Sequence, residues 1–169
     1  NKHQIAFAQN RLMAKGLKGR VWRDRLQDFK VPKGARYDVA HCFVSTFKYI
    51  DSEAGAVSSL RRMAAALRPG GLLLLGLHLT DYKNSPPDHE RWIGRKPGIR
   101  VVSDTWSAPA DRKSRTEAMR TRMRITEKGK TRIEETLWDF RTYSPAELKA
   151  LLAKVSSLKL VACHDFHYD

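Results

Sequence analysis

Three groups of polar and aromatic residues stand where predicted β-strands end. Asp24 and Arg25 follow a short predicted strand, residues 41–45 close a second one, and residues 78–82 follow a run of leucines. In an open sheet with alternating helices, ligands bind beyond the carboxyl ends of the strands. A carboxylate there can accept from an exocyclic amine while the next backbone N–H serves a ring nitrogen, and an aromatic face can hold the base. These residue types indicate a site for an adenosine-like ligand.

The first half of the chain predicts an alternation of helices and strands. An amphipathic helix is expected over 2–15, with Asn1 as its N-cap and Gly16 at its end. A second helix begins after Asp51 or Ser52 and carries apolar residues at three- and four-residue intervals. Strands are expected at 20–23, 37–43 and 72–77. The second of these reads as a buried strand, and the third is a continuous apolar run, typical of a parallel strand covered on both faces.

The second half predicts an inserted region followed by a return to the sheet. Residues 80–97 are rich in turn-forming residues and are predicted as a loop, whereas residues 98–106 are predicted as a strand. Apolar and polar residues then alternate with period two up to Phe140, which predicts a β-hairpin. Ser144, followed by proline, begins a last helix, and a final strand is expected over 158–166.

The register of the hairpin depends on the length of its turn. A three-residue turn with Gly129 in the left-handed region places Ile125 opposite Ile133 and Arg124 opposite Glu134. A two-residue turn pairs Arg124 with Ile133 instead. We prefer the first register because it matches apolar with apolar and basic with acidic side chains.

Positive charge is the most unusual bulk property of the chain. Its 169 residues carry a formal net charge of +14, and residues 91–132 hold thirteen Lys and Arg against four Asp and Glu. Arg120, Arg122 and Arg124 lie on one face of the predicted hairpin. A basic strand face of this kind can attract RNA or another polyanion, although it is also compatible with an ordinary solvated surface.

Several classes of protein are excluded or disfavoured by the sequence. The longest apolar run is far shorter than the roughly 20 residues that a membrane-spanning helix needs, and no secretory signal opens the chain, so a cytoplasmic protein is expected. Cys42 and Cys163 are too far apart in sequence for a paired metal motif and are expected as reduced thiols. His164 and His167 would point to opposite faces of a strand, so no metal site is predicted.

The order of the motifs resembles a known family. Asp24 after Val21-Trp22-Arg23, then Asp28-Phe29, residues 37–42, and residues 67–71 before the leucine strand resemble class I S-adenosylmethionine-dependent methyltransferases. The resemblance implies one α/β domain over 1–169. Its Rossmann-like, mostly parallel twisted sheet would have flanking helices, an antiparallel C-terminal strand and an inserted region, with its β-hairpin, over about 80–140.

The resemblance also implies that the domain is incomplete. The family's first strand, with its glycine-rich turn, and the acidic residue that ends its second strand have no counterpart in this sequence. Asn1 would lie just after that acidic residue. We therefore expect a fragment whose N-terminal portion, with the motif that holds the amino-acid end of the cofactor, is missing.

Roles in binding S-adenosylmethionine follow by position within the family. Asp24 would accept from the adenine amine, and the backbone N–H of Arg25 would reach the ring. His41, Cys42 and Phe43 would line the methyl-bearing end of the cofactor. The implied reaction is methyl transfer from S-adenosylmethionine to a small-molecule acceptor.

Residues beyond the fifth strand of the family would serve the acceptor. His78 or Asp81 would act as the base if the acceptor needs deprotonation. The acceptor pocket would be shaped by four aromatic residues, Phe47, Tyr49, Tyr82 and Trp92. The alternatives are an RNA methyltransferase, which would use the basic region 91–132, and a non-catalytic nucleic-acid-binding or partner subunit that pairs through an exposed sheet edge.

Overall fold

The computed structural model describes residues 1–165 and divides them between two sheets and several helices. The elements are α1 Lys2–Ala14, β1 Tyr37–Cys42, the 3₁₀ helix η1 Thr46–Tyr49, α2 Glu53–Ala66, β2 Leu67–Leu75, β3 Asp88–Lys96, β4 Ile99–Ser107, β5 Thr116–Glu127, β6 Lys130–Arg141 and α3 Pro145–Ala153. We refer to β1, β2, η1, α2 and α3 as the helical layer, and to β3–β6 as the antiparallel sheet.

Local side-chain caps fix the beginnings of the three α-helices. The Asn1 side chain accepts from the backbone N–H of His3, and the Ser52 side chain accepts from that of Gly55. Ser144 and Glu147 form a reciprocal capping box at the start of α3, where proline occupies the first turn. These caps satisfy backbone N–H groups that have no partner inside the helix, and they confirm the predicted starts of all three helices.

The helical layer contains a two-stranded parallel sheet. β1 and β2 pair in parallel, as predicted, with His41 opposite Leu74. Gly71 allows the strands to approach, because a Cβ there would lie 3.1 Å from the carbonyl oxygens of Tyr37 and Asp38. The expected burial on both faces is wrong: Leu73 and Leu75 contact the core, whereas Val39, Leu72 and Leu74 are 44–51% exposed.

The antiparallel sheet is a meander with the strand order β3-β4-β5-β6. It confirms the strand at 98–106 and the hairpin that was predicted from the alternation of side chains. It corrects the predicted loop over 80–97, because residues 88–96 form β3 and pair along their whole length with β4. Pro86 and Pro87 lie just before this strand, so their missing N–H groups interrupt no ladder.

The hairpin turn has two residues, so the preferred register is wrong and the alternative is correct. Arg124 lies opposite Ile133, and Ile125 lies opposite Arg132. Lys128 and Gly129 both have positive φ angles, of 48° and 78°. Positive φ at both central residues is typical of a type I′ turn, whose twist matches that of the flanking strands, and this preference outweighs the matching of side chains.

Two predicted strands do not form within the described residues. Residues 20–23 and 158–165 form no strand and have no ladder partner, so neither segment joins a sheet. Phe166, at the end of the predicted antiparallel C-terminal strand, and His167 lie outside the described residues. A mostly parallel sheet was also expected, but β1 and β2 make the parallel pairing of this part of the chain while the larger sheet is antiparallel.

The core lies where β1, η1, α2 and α3 meet. Its buried members are Cys42, Phe47, Ile50, Ala56, Leu60, Met63, Leu77, Tyr143, Leu151 and Val155. Removing a ring such as that of Phe47, which has no exposed surface, would leave a cavity in this core. No helix among residues 1–165 is long and apolar enough to cross a membrane.

Charged side chains join the helical layer to the antiparallel sheet. Glu53, at the start of α2, binds Arg141 of β6 and Arg115 just before β5, and it also binds Lys154 at the end of α3. Lys48 of η1 pairs with Glu117 of β5 at 2.9 Å, and their side chains are only 6% and 19% exposed. We call these ion pairs between the helical layer and the antiparallel sheet the joint. Because each ion of a buried pair depends on the other, the joint fixes the position of the sheet relative to the helical layer.

Candidate functional site

The carboxyl ends of β1 and β2 are tied together by three hydrogen bonds. The backbone N–H of Gly76 donates to the carbonyl of Cys42 at 2.9 Å, and that of Ser45 donates to the carbonyl of Gly76 at 3.1 Å. The backbone N–H of His78 donates to the Ser45 Oγ at 3.4 Å. The groups predicted at 41–45 and 78–82 therefore meet at one edge of the parallel sheet.

The chain leaves β1 through two residues in the left-handed region. Val44 and Ser45 have φ angles of 55° and 56°. This conformation costs a non-glycine residue about 1–2 kcal/mol and persists only when its surroundings hold it. Ser45 is buried and held by its bonds to the β2 side, whereas Val44 is 90% exposed. Strain of this kind clusters at ligand sites, and here it lies at the predicted one.

Two of the predicted cofactor residues form an aromatic plate at the end of β1. The rings of His41 and Phe43 are stacked, with centroids 4.8 Å apart and planes 19° apart. Phe43 is 46% exposed, so the plate can receive a flat ligand. Gly76 makes room for it, because a Cβ at this position would lie 2.9 Å from the Phe43 ring.

Cys42 and Phe47 lie behind this plate, in the core. Cys42 is 5% exposed, and burial raises the pKa of its thiol although the backbone of Phe47 opposes that effect with a hydrogen bond. Phe47 is fully buried and its ring lies 5.8 Å from that of Tyr143. Both residues therefore belong to the core in this structure and present little or no surface to a ligand.

Asp24 lines a surface groove beside α1, and Arg25 follows it in the chain. The Asp24 carboxylate accepts from the backbone N–H groups of Arg25 and Lys30, at 3.0 and 3.1 Å. The groove has a volume of about 250 Å³, and its lining comprises Asn1, Gln4, Ile5, Val21, Trp22, Arg23 and Asp24. The Arg25 N–H predicted to reach the adenine ring is thus engaged by its own neighbour.

The loop after β2 is fastened to the start of α3. The Tyr82 hydroxyl lies 2.8 Å from the Thr142 hydroxyl and donates to Glu147 at 3.1 Å. Burial raises the pKa of Glu147, but hydrogen bonds from Ser144 and Tyr82 and the charge of Arg115 outweigh it and hold the pKa below its ordinary value. Tyr82 is therefore oriented by an ionised carboxylate.

His78 and Asp81, the two predicted bases, lie in the same loop as Tyr82. His78 is exposed just beyond β2, and Asp81 accepts from the backbone N–H of Lys83 at 2.9 Å. The backbone N–H of Thr80, between them, donates to the carbonyl of Tyr143 at 2.8 Å. The segment that carries the predicted bases is thus anchored to the core at its middle.

The last two predicted aromatic residues are on different parts of the surface. Tyr49 is 58% exposed, lies 6.3 Å from Trp138 and meets the edge of Phe140 at 4.7 Å. Trp92 lies on β3, the opposite edge strand of the antiparallel sheet from the β6 strand of Trp138. The structure therefore gathers Tyr49 with two rings of β6 and does not bring Trp92 to them.

Sequence reasoning missed the residues that orient Tyr82 and Tyr49. Glu147 had a local signal, because it follows Ser144 at the spacing of a capping box. Thr142, Trp138 and Phe140 had none, since only tertiary packing brings them to residues 60 to 91 positions away. Across residues 1–165, no His, Cys, Asp and Glu side chains gather in a group that could hold a metal ion.

Several solved structures that resemble this chain in fold are methyltransferases. The sugar N-methyltransferase KedS8 from Streptoalloteichus sp ATCC 53650 has a TM-score of 0.73 at 18% identity, covering 89% of this chain and 57% of that one. A S-adenosylmethionine-dependent methyltransferase from Clostridium acetobutylicum ATCC 824 has a TM-score of 0.69 at 12% identity, with coverages of 91% and 60%. S-adenosylmethionine-bound CalS10, an amino pentose methyltransferase from Micromonospora echinaspora, has a TM-score of 0.61 at 18% identity, with coverages of 78% and 54%.

These matches define the fold and its extent. The chain spans less than two thirds of the length of each of these three proteins. Neither a scan of protein-family models nor a search of curated proteins finds a match. The chain therefore has the α/β fold that these methyltransferases share.

Proposed function

We propose that the protein transfers a methyl group from S-adenosylmethionine to a small-molecule acceptor. The observation that carries this proposal is the exposed His41–Phe43 plate at the joined carboxyl ends of two parallel strands. This is the edge at which an open α/β sheet binds its ligands. The fold likeness to methyltransferases, one of them solved with S-adenosylmethionine bound, supports the identity of the ligand.

The residues present fit a nucleoside with a positively charged sulfur. The electron-rich face of an aromatic plate attracts a cation, and Phe43 leaves nearly half of its surface open for it. Asp24 retains acceptor capacity for an adenine amine, because each of its oxygens receives one hydrogen bond and has a further lone pair. Arg25 contributes by orienting Asp24, and its N–H reaches the adenine ring only if that bond opens.

The main contribution of the chain to the reaction would be to position the methyl donor and the acceptor. When bound, S-adenosylmethionine would supply a methyl group on a positively charged sulfur: the acceptor's lone pair bonds to the methyl carbon, the carbon–sulfur bond breaks, and the neutral thioether leaves. His41 and Phe43 would hold the methyl-bearing end of the site, backed by Cys42 in the core. His78 or Asp81 would take the proton that the acceptor loses. Fixing donor and acceptor in line, with water excluded, supplies most of the acceleration that such a displacement needs.

A sugar-like acceptor is the class that we propose. KedS8 is a sugar N-methyltransferase and CalS10 is an amino pentose methyltransferase, and both share the fold of this chain. Tyr82, held by Glu147, and exposed Tyr49 would line the acceptor side, with Phe47 as support from the core. Trp92 would contribute only if the acceptor extends along the antiparallel sheet.

Calorimetric titration of the full-length protein with S-adenosylmethionine tests this proposal. Asp24→Ala is expected to weaken binding by about 1–3 kcal/mol, the scale of a hydrogen bond that involves a charged group. Asp28→Ala, a loss of the same charge four residues further along the same loop, should leave affinity within about 0.5 kcal/mol. Absence of binding heat with the parent protein would refute the cofactor, and equal affinity in the two variants would remove Asp24 from the site.

A further inference from the structure

The end of the antiparallel sheet that lies farthest from the helices carries unbalanced positive charge. Two turns meet there, because the backbone N–H of Lys128 in the β5–β6 turn donates to the carbonyl of Gly98 in the β3–β4 turn at 3.1 Å. We call this end the tip. β5 runs for twelve residues between the joint with the helical layer and the tip, which separates them by roughly 35 Å.

Two arginines face each other at the tip without a counter-ion. Arg95 of β3 lies directly opposite Arg100 of β4. Like charges in this position destabilise a sheet. On the same face, Arg91 pairs with Asp104 at 2.6 Å and Arg120 with an acidic residue of β6 at 2.7 Å, but within residues 1–165 neither Arg95 nor Arg100 has an acidic partner.

A surface depression lies beside these two guanidinium groups. Its volume is about 310 Å³, and its lining comprises Arg95, Lys96, Gly98, Ile99, Arg100 and Thr126. Lys128 and Lys130 of the adjoining turn add to the positive charge. Glu127, the acidic residue of that turn, already faces Arg132 at 3.6 Å. The depression is therefore cationic on the sides that a ligand would meet.

We propose that this depression binds the phosphate group of a small phosphate ester. Guanidinium groups offer forked N–H donors that match phosphate oxygens in pairs, and two of them would share one dianion. The Thr126 hydroxyl would provide a further hydrogen bond in place of its 3.0 Å contact with Thr131. Bound phosphate would also remove the repulsion between Arg95 and Arg100. None of the residues that line this depression belongs to the proposed methyl-acceptor site.

The same face is poorly suited to single-stranded nucleic acid. Such binding relies on aromatic rings that are open to stacking by bases. Trp106, on the same face of β4, is instead occupied by the stacked ring of His89 at 4.9 Å and by the guanidinium of Arg120 at 5.3 Å. Asp104 and Glu135 further interrupt the basic surface between the tip and the joint. Among residues 1–165, Arg122 and Arg124 of β5 also make no ion pair, but it is Arg95 and Arg100 that line a depression.

Calorimetric titration of the full chain with inorganic pyrophosphate, at fixed ionic strength, tests this site. Arg95→Gln combined with Arg100→Gln should weaken binding at least about tenfold, the effect of losing charge-assisted hydrogen bonds. Arg36→Gln combined with Arg61→Gln removes the same charge from the helical side and should change affinity less than about twofold. Arg95→Lys combined with Arg100→Lys keeps the charge but removes the paired N–H donors of the guanidinium groups, and should still weaken pyrophosphate binding several-fold.

Three outcomes would overturn the proposal. They are no detectable heat with pyrophosphate, equal weakening in the Arg95/Arg100 and Arg36/Arg61 variants, and a single-stranded RNA 12-mer that binds far more tightly than pyrophosphate. Thermal melts keep the test independent of misfolding. Without pyrophosphate, the Arg95→Gln/Arg100→Gln variant should melt no lower than the parent, because it loses a repulsive pair; with pyrophosphate, only the parent should gain stability.

Discussion

The helical layer and the antiparallel sheet hold their shapes by different means. The layer buries a continuous apolar core around Phe47, Leu60 and Tyr143, each with no exposed surface. The sheet depends on long ladders of backbone hydrogen bonds and on cross-strand ion pairs, and Leu137 and Ile133 on β6 stay 71% and 51% exposed. The difference shows that packing positions the candidate cofactor edge, whereas the sheet projects side chains into solvent. Substitutions in the two regions should therefore have very different effects.

The largest contrast is expected between a core ring and an exposed sheet residue. Phe47→Ala should lower the free energy of unfolding by about 3–5 kcal/mol, since it removes a buried ring and leaves a cavity. Leu137→Ala removes an apolar side chain from an exposed position and should cost less than about 0.5 kcal/mol. Urea denaturation of both variants measures the difference. A cost for Leu137→Ala close to that of Phe47→Ala would mean that this face of the sheet is covered in solution.

A medium effect is expected at the joint between the two regions. Glu53→Gln keeps the shape of the side chain but weakens its bonds to Arg115, Arg141 and Lys154, and should cost about 1–2 kcal/mol at neutral pH. The control is Glu134→Gln, which removes an exposed ion pair with Arg132 on β6. It should lower the free energy of unfolding by at most about 0.5 kcal/mol.

The difference in stability between the parent protein and Glu53→Gln should depend on pH if it is electrostatic in origin. The hydrogen bond and charge of Lys154, opposed by burial and supported by Arg115 and Arg141, lower the pKa of Glu53 below 4.5. A group whose pKa is lowered on folding stabilises the protein above its ordinary pKa, and loses that effect as pH falls through the lowered value. The gap between the parent and Glu53→Gln should therefore close as pH falls below 4.5, and a gap that stays constant would argue for packing instead.

The smallest effect is expected in the hairpin turn. Lys128→Asn should raise the free energy of unfolding by about 0.5 kcal/mol, because asparagine tolerates the φ of 48° better than lysine and is favoured before glycine in type I′ turns. Thermal denaturation is the measurement. Gly129→Ala, at a φ of 78°, should shift the melting temperature in the opposite direction, and a gain in stability there would mean that the turn is of another type.

Local signals were sufficient for the helices and for the existence of the hairpin. Asn1, Ser52 and Ser144 cap helices through bonds to residues two or three positions away, so their roles can be predicted from spacing. β3 was missed because its residues do not alternate clearly and its stability comes from pairing with β4. For residues 20–23 a strand was predicted and none forms, because a strand-like sequence forms a strand only when it pairs with a neighbouring strand.

The grouping of polar and aromatic residues at the end of β1 was predictable, but the contacts around it were not. The end of β1 could be found from its sequence pattern, and the structure places His41, Phe43 and Ser45 there. Burial of Phe47 and the engagement of Tyr82 by Glu147 depend on elements far apart in the chain. No spacing rule carries that information, because the contacts arise only when α3 packs against the loop after β2.

The meander order of the antiparallel sheet has a kinetic consequence. Each of its ladders joins strands that are adjacent along the chain, and two of its turns have only two residues, so each pairing closes a short loop. Contacts at the joint close much longer loops: Lys48 bonds to Glu117 across 69 residues, and Arg141 to Asp51 across 90. Because short loops lose less chain entropy and form faster, we expect the sheet to assemble early and the joint last.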